Sequence, residues 1–212
     1  YRSDQPCQTP DDGGWRQIDG TCAERFDPTR TMLGDTQENW LMRRFGRAGA
    51  HWNVLAQGML FSNHDRKIGE GEEIGSEYWD GYVESRRRVL DLIERRPAAG
   101  TIIIGGDVHA TYVCDVKKDF KDPNSKTLAS EFVTTSITSS NGRHDQVVAT
   151  LVDNPHIKRY DGRYRGYTLC DVTPKAWNVD LRVVDDVTST TPKFSSNGRY
   201  VVEAGNAAIQ EA

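Results

Sequence analysis

The chain lacks a basic surplus, a long apolar run and any closely spaced cysteine pair, and each absence excludes a class of function. Its 27 Lys and Arg are outnumbered by 31 Asp and Glu, for a formal charge of −4. Binding of nucleic acid or of an anionic membrane surface usually draws on excess positive charge, so neither is a leading partner. The longest uninterrupted aliphatic run is Ile102–Ile104 and the mean hydropathy is −0.67, whereas a membrane-spanning helix needs roughly 20 apolar residues. No integral membrane segment is expected. The four cysteines, Cys7, Cys22, Cys114 and Cys170, show no Cys-x-x-Cys spacing, which argues against a zinc site or a thioredoxin-like motif. Their even number favours two disulfides in an oxidising compartment, although a cytosolic protein can also carry four free thiols. Also missing are the Gly-x-Ser-x-Gly elbow, the phosphate-binding loop and the Gly-x-Gly-x-x-Gly fingerprint. Tyr1 is no initiator and no basic, then apolar, leader stands at the start, so the chain reads as a processed or trimmed product.

With 212 residues, 36% of them hydrophobic, the chain can bury a core, near the polar limit of globular composition. Residues 1–30 are punctuated by Pro6, Pro10, Asp11-Asp12-Gly13-Gly14 and Asp19-Gly20, an irregular stretch that Cys7 and Cys22 could staple. A helix follows, with Asp35 and Glu38 in capping-box spacing and Trp40, Leu41 and Phe45 on one side. Trp52–Ala56 reads as a strand, residues 62–76 as a polar loop, and residues 80–94 as an amphipathic helix. Its stripe is Val83, Val89, Leu90 and Ile93, with Arg86, Arg87 and Arg88 mostly outside it, and Pro97 with Gly100 ends it. The β-branched run 101–105 has the look of a strand buried on both faces. The strand, helix and strand form one βαβ unit. Beyond residue 110 come short β runs at 112–116, 131–135, 167–172, 177–184 and 199–203. Cys114 and Cys170 each precede Asp-Val, as equivalent points on neighbouring strands would, so pairs Cys7–Cys22 and Cys114–Cys170 are expected. The fold class is α/β, one βαβ unit carrying a β-rich tail.

The strongest chemical signal is Gly105-Gly106-Asp107-Val108-His109, directly after the buried strand. A carboxylate and an imidazole one residue apart, on a turn leaving the carboxyl end of a strand, can reach one metal in the crevice where α/β sheets bind ligands. The alternative is a turn-capping Asp beside a satisfied His. Asn63-His64-Asp65 has ligand-type residues but follows Phe61-Ser62 rather than a strand and glycine turn, so a solvated loop is the favoured reading. Asn154-Pro155-His156 and Arg165-Gly166-Tyr167 offer an imidazole and a guanidinium ahead of a strand, as a phosphate-facing loop would. Both are also ordinary surface residue types. The Ser136–Ser140 run with His144 reads as turn chemistry rather than as a hydrolase nucleophile.

Six blocks in order carry a resemblance: Arg30–Gly34 with Gln37-Glu38 and Trp40-Leu41, Trp52–Gln57, Trp79–Tyr82, Gly106–Ala110, Glu131–Val133 with Thr135–Ile137, and Asn154–His156 with Arg165–Tyr167. Together they resemble the alkaline phosphatase D (PhoD-like) phosphodiesterases, over about residues 1–205, with 206–212 as a tail. The resemblance implies a metallophosphoesterase-like β-sandwich flanked by helices, with ferric iron and calcium as cofactors. It implies a secreted or periplasmic phosphoesterase acting on phosphodiesters or phospholipids through a metal-activated water, in the manner of a phospholipase D, or mainly on phosphomonoesters. Asp107 and His109 match the family's carboxy-terminal metal motif, His109 nearer the iron. His156 and Arg165 match positions that act on the substrate, and Gln57 and Asp80 match positions just behind the ligands. The family's amino-terminal half, with the remaining ligands, has no counterpart here, so an amino-terminal piece is the expected partner. A fragment active only with that piece is the rival reading.

Overall fold

A computed structural model of the chain describes residues 1–8, 16–46, 49–96 and 98–212. The turn expected at Pro10–Gly14 and the helix stop at Pro97 lie outside them. In chain order the elements are β1 (Gln17–Asp19), α1 (Asp35–Arg44), β2 (Trp52–Ala56), β3 (Glu73–Gly75), α2 (Val83–Arg95), β4 (Gly100–Gly105), β5 (Thr111–Lys117) and β6 (Thr127–Val133). They continue with α3 (His144–Thr150), β7 (Ile157–Asp161), β8 (Arg165–Val172), β9 (Ala176–Val184), β10 (Phe194–Glu203) and β11 (Gln210–Glu211). One sheet has five strands in the order β2-β4-β6-β5-β7, a second has four in the order β11-β10-β9-β8, and β1 pairs β3. Strands β2, β4 and β6 run parallel, with α2 as the crossover between the adjacent β2 and β4, and β5 is antiparallel to both neighbours.

The alternation of side chains across β4 builds the layers. Ile102 and Ile104 point into the space between the sheets, where Val113 and Phe132 meet Trp177, Val179, Leu181, Tyr200 and Val202. Ile103 points the other way, into the packing of α1 and α2 with Leu41, Phe45, Val89, Leu90 and Ile93. A strand covered on both faces must be apolar at successive positions, which is why this run is β-branched. Across β9 the same period of two appears with one face only buried: Trp177, Val179, Leu181 and Val183 inward, their neighbours partly exposed. The result is a β-sandwich with helices on the outer face of its larger sheet. Residues 206–212 bring Ile209 into the space between the sheets and place β11 on β10.

Several local expectations are corrected. Cys7–Cys22 is a disulfide, but Cys114 and Cys170 are free thiols. Cys114 sits in the five-stranded sheet and packs with Tyr112 and Val133 on its outer face, whereas Cys170 is on β8 of the other sheet and packs against the layer between them. The five-stranded sheet lies between the two sulfurs. Asp35 is not a cap: Gly34 holds that position in the left-handed region (φ 76°), with no side-chain cap bond. Glu38 instead ties α1 to α2, accepting from Thr31 Oγ1 at 2.7 Å, Ser85 Oγ at 3.1 Å and the Arg88 guanidinium. Trp40 points to solvent, and the buried stripe of α1 is Glu38, Leu41 and Phe45. Arg86 lies inside the buried stripe of α2, 6% exposed. Strand β3 interrupts the loop expected at 62–76.

Candidate functional site

The parallel strands β2, β4 and β6 bring their carboxyl ends to one edge of the larger sheet, and the turn between β4 and β5 projects from that edge. Gly105 is required there, because a Cβ would come within 2.6 Å of the Met59 carbonyl. The turn then places Asp107 (φ 65°) and His109 (φ 54°) in the left-handed region. Non-glycine residues adopt it at a cost of about 1–2 kcal/mol, held by their surroundings. Two long-range anchors do the holding. Asn141 Nδ2 donates to the Val108 carbonyl at 3.0 Å, and Arg165 donates to the His109 carbonyl at 2.8 Å. Arg165 also donates to Ser136 Oγ, the Ser139 carbonyl and the Gly162 carbonyl, so one buried guanidinium gathers three loops at this edge.

Asp107 and His109 are exposed and line a cavity of about 390 Å³. Opposite them stand Glu77 and Tyr78, with His64 and Tyr112 forming the inner wall. Burial, reinforced by the Asp107 carboxylate, raises the pKa of Glu77. The Arg66 guanidinium lies over the Tyr78 ring, 5.2 Å from its centroid.

His64 belongs to a turn that buried groups grip from every side. Glu131 accepts from the Phe61 and Ser62 amides at 2.7 and 2.8 Å. Asp80 accepts from Asn63 Nδ2 at 2.7 Å, from the His64 amide at 3.0 Å and from Arg86 at 2.6 Å. His156 Nε2 donates to the Asn63 carbonyl at 2.7 Å, and the Asn154 side chain bonds both the amide and the carbonyl of Asp65. The solvated loop expected here is therefore a buried turn, with Asn63 7% and His64 2% exposed. Burial pushes the His64 pKa down to about 3 and lifts that of Glu131 to about 7. Burial also works against the charge on Asp80, but Arg86, Asn63 and the His64 amide together hold its pKa below the ordinary carboxylate value. Desolvation lowers His156 as well, against the opposing bond to Asn63.

Of the six residues singled out from sequence, Asp107 and His109 line the cavity, and the other four support its walls. Asp80 and His156 hold the 63–65 turn, Arg165 holds the Asp107–His109 turn, and Gln57 Oε1 accepts from Trp79 Nε1 at 3.1 Å beside Asp80. Glu77 and Tyr112 were not singled out, and His64 was weighed with Asn63 and Asp65 but set aside as a solvated loop. Glu77 stands three residues before Asp80, and Tyr112 follows the motif on β5, so proximity to both blocks was the usable signal. Asp107, His109 and Glu77 offer two carboxylates and an imidazole, donors suited to hard or borderline metal ions. Among the described residues no three His, Cys, Asp or Glu side chains converge as a metal site. These donors thus fit part of a metal shell rather than a whole one.

Comparison with known proteins agrees with this architecture. A family model described as PhoD-like phosphatase matches residues 1–181. Alkaline phosphatase D of Bacillus subtilis (strain 168) is 35% identical over 214 residues, which cover 100% of this chain and 35% of that protein. The solved structure described as "Structure of PhoD" superposes with a TM-score of 0.88 at 33% identity, covering 100% of this chain and 40% of the other. The chain therefore spans well under half the length of these relatives. With a family match over most of its length and a cavity built around the Asp107–His109 turn, the chain belongs to the PhoD-like phosphatase family.

Proposed function

We propose that this chain is the carboxy-terminal part of the catalytic domain of a secreted or periplasmic, metal-dependent phosphoesterase, acting on phosphodiesters or phospholipids in the manner of a phospholipase D. The observation that carries the reading is the placing of Asp107 and His109, in left-handed backbone, on one cavity at the carboxyl ends of parallel strands. They would hold part of a ferric iron and calcium centre, with Glu77 beside them and the remaining ligands supplied by an amino-terminal partner piece. When bound, such ions act as Lewis acids on the phosphoryl oxygens and acidify a coordinated water, so no serine or cysteine nucleophile is needed. This chain's own residues supply position. Arg165 fixes the height of the metal-motif turn, Asp80 and His156 fix the 63–65 turn, and Gln57 braces the Trp79–Gly81 turn that carries Asp80. The Cys7–Cys22 disulfide supports an oxidising compartment, where such bonds form and persist.

The test uses the complete enzyme on bis-p-nitrophenyl phosphate, p-nitrophenyl phosphate and phosphatidylcholine, with iron and calcium measured in the same preparation. Asp107→Ala is expected to lower turnover on the order of 100-fold or more with the fold intact. Unchanged activity would overturn the assignment. The name alkaline phosphatase D, carried by the relative that is 35% identical, favours a second reading as mainly a phosphomonoesterase. Faster cleavage of the monoester than of either diester would decide for it.

A further inference from the structure

The inner wall of the cavity is a run of rings. Tyr112 on β5 faces Tyr160 on β7 across the antiparallel register, with ring centroids 4.8 Å apart, and the His64 ring meets Tyr112 edge-on at 5.7 Å. Hydrogen bonds give this wall a direction. Thr150 Oγ1 donates its single proton to the Val147 carbonyl at 2.8 Å, so it acts as acceptor towards His64 Nε2, 3.0 Å away. Nε2 therefore carries the imidazole proton, and Nδ1 accepts from the Tyr112 hydroxyl at 3.3 Å. Burial keeps the ring neutral, so this tautomer persists across the working range of pH. With its only O–H committed to His64, the Tyr112 oxygen has only lone pairs left to offer.

We propose that Tyr112 is a substrate-binding residue that presents a hydrogen-bond acceptor to the alcohol portion of a phosphoester, and that His64 is the positioning residue that fixes it in that role. The preferred substrates are esters whose alcohol carries a further hydroxyl or amine donor. A cavity of about 390 Å³ has room for such a group beside the phosphoryl group, since pockets for small organic ligands begin at about 300 Å³. The proposal rests on the phosphoesterase reading, which places the reacting phosphorus at Asp107 and His109.

Two substrates differing in one hydroxyl test it on the complete, metal-loaded enzyme: p-nitrophenyl 3-hydroxypropyl phosphate and p-nitrophenyl propyl phosphate. The wild type is expected to favour the first by about tenfold in kcat/KM, through KM, the effect of one hydrogen bond. Tyr112→Phe keeps the ring and should abolish the preference between the two esters. His64→Phe should do the same, His64→Gln should restore part of it, and the Tyr112→Phe, His64→Phe double variant should lose no more than either alone. Nitrogen NMR of His64 should show Nε2 protonated and Nδ1 bare. Equal use of the two esters by the wild type, or a preference surviving in Tyr112→Phe, overturns the proposal with the phosphoesterase reading intact. A protonated Nδ1 overturns the role of His64. Hydrolysis of neither ester defeats the phosphoesterase reading and this proposal together.

Discussion

A histidine that refuses its proton leaves a thermodynamic trace. Folded His64 titrates near 3, pushed down by burial from an ordinary value of 6.5. Below pH 6.5 the unfolded chain takes up a proton that the folded one does not. The stability contributed by the neutral ring is therefore complete above 6.5 and is lost as pH falls towards 3, at about 1.4 kcal/mol per pH unit. Glu131 works in the opposite sense: its pKa is raised to about 7, so its contribution is present below its ordinary value of 4.5 and is lost as pH rises through 7. Comparing wild type with His64→Gln cancels the Glu131 contribution. Urea unfolding at pH 7 and pH 5 should show the wild type losing about 2 kcal/mol more than the variant over that interval. Equal losses would mean that His64 is charged, or accessible to water, in the fold.

At the level of elements, the turn formed by Trp79–Gly81 shows how closely backbone and side chain are fitted. A Cβ on Gly81 would come within 2.1 Å of the Ser76 carbonyl and 3.2 Å of Pro6. Gly81→Ala must displace the turn and with it Asp80, the acceptor for Asn63, the His64 amide and Arg86. The expected cost is about 1–3 kcal/mol in chemical unfolding, together with a loss of activity larger than a surface substitution on the same turn produces. The elements that were legible in sequence are those with local patterns. Strand β4 announces itself through Ile102–Ile104, and α2 through Val89, Leu90 and Ile93, because burial on two faces and on one face write different periods. Strand β7 is an edge strand in which an irregularity at Lys158 brings Ile157 and Tyr160, three positions apart, into one cluster, so no period of two shows in its sequence. Arg86 and His64 were illegible for another reason. Their partners are set by the tertiary fold: His64 meets Tyr112 across 48 positions and Thr150 across 86, and Arg86 reaches the Phe61 carbonyl across 25. No local spacing encodes such a turn, so its polar residues read as solvated. The Asp107–His109 motif was legible because two ligand types and two glycines fall within five residues of a buried strand.

For the whole molecule, the cysteines divide into one staple and two thiols of unequal reach. Cys7 and Cys22 close a loop of sequence separation 15 and join Ile18 and Ile74 in a small core of their own. Reducing that bond should lower stability by about 3 kcal/mol, mainly by freeing the unfolded chain. Cys114 is fully buried, with its thiol pKa raised well above the ordinary value, whereas Cys170 is partly exposed. Alkylation of the native protein followed by non-reducing peptide mapping should therefore recover one disulfide, with label on Cys170 and Cys114 labelled only after unfolding. Early labelling of Cys114 would mean that the five-stranded sheet opens in the native state.

The left-handed backbone at Asp107 and His109 sets durability against chemistry within a single turn. Glycine is the residue that adopts such angles without strain, so at either position the sequence most comfortable for the fold is one that carries no carboxylate or imidazole. Selection for heat resistance alone would drift towards Gly-x-Gly at this turn, yielding a hardier protein with an emptied site. Selection for turnover must keep re-imposing the strain. Greater endurance is therefore better sought in the layer between the sheets, where Trp177 packs in the second sheet, far from the turn in sequence.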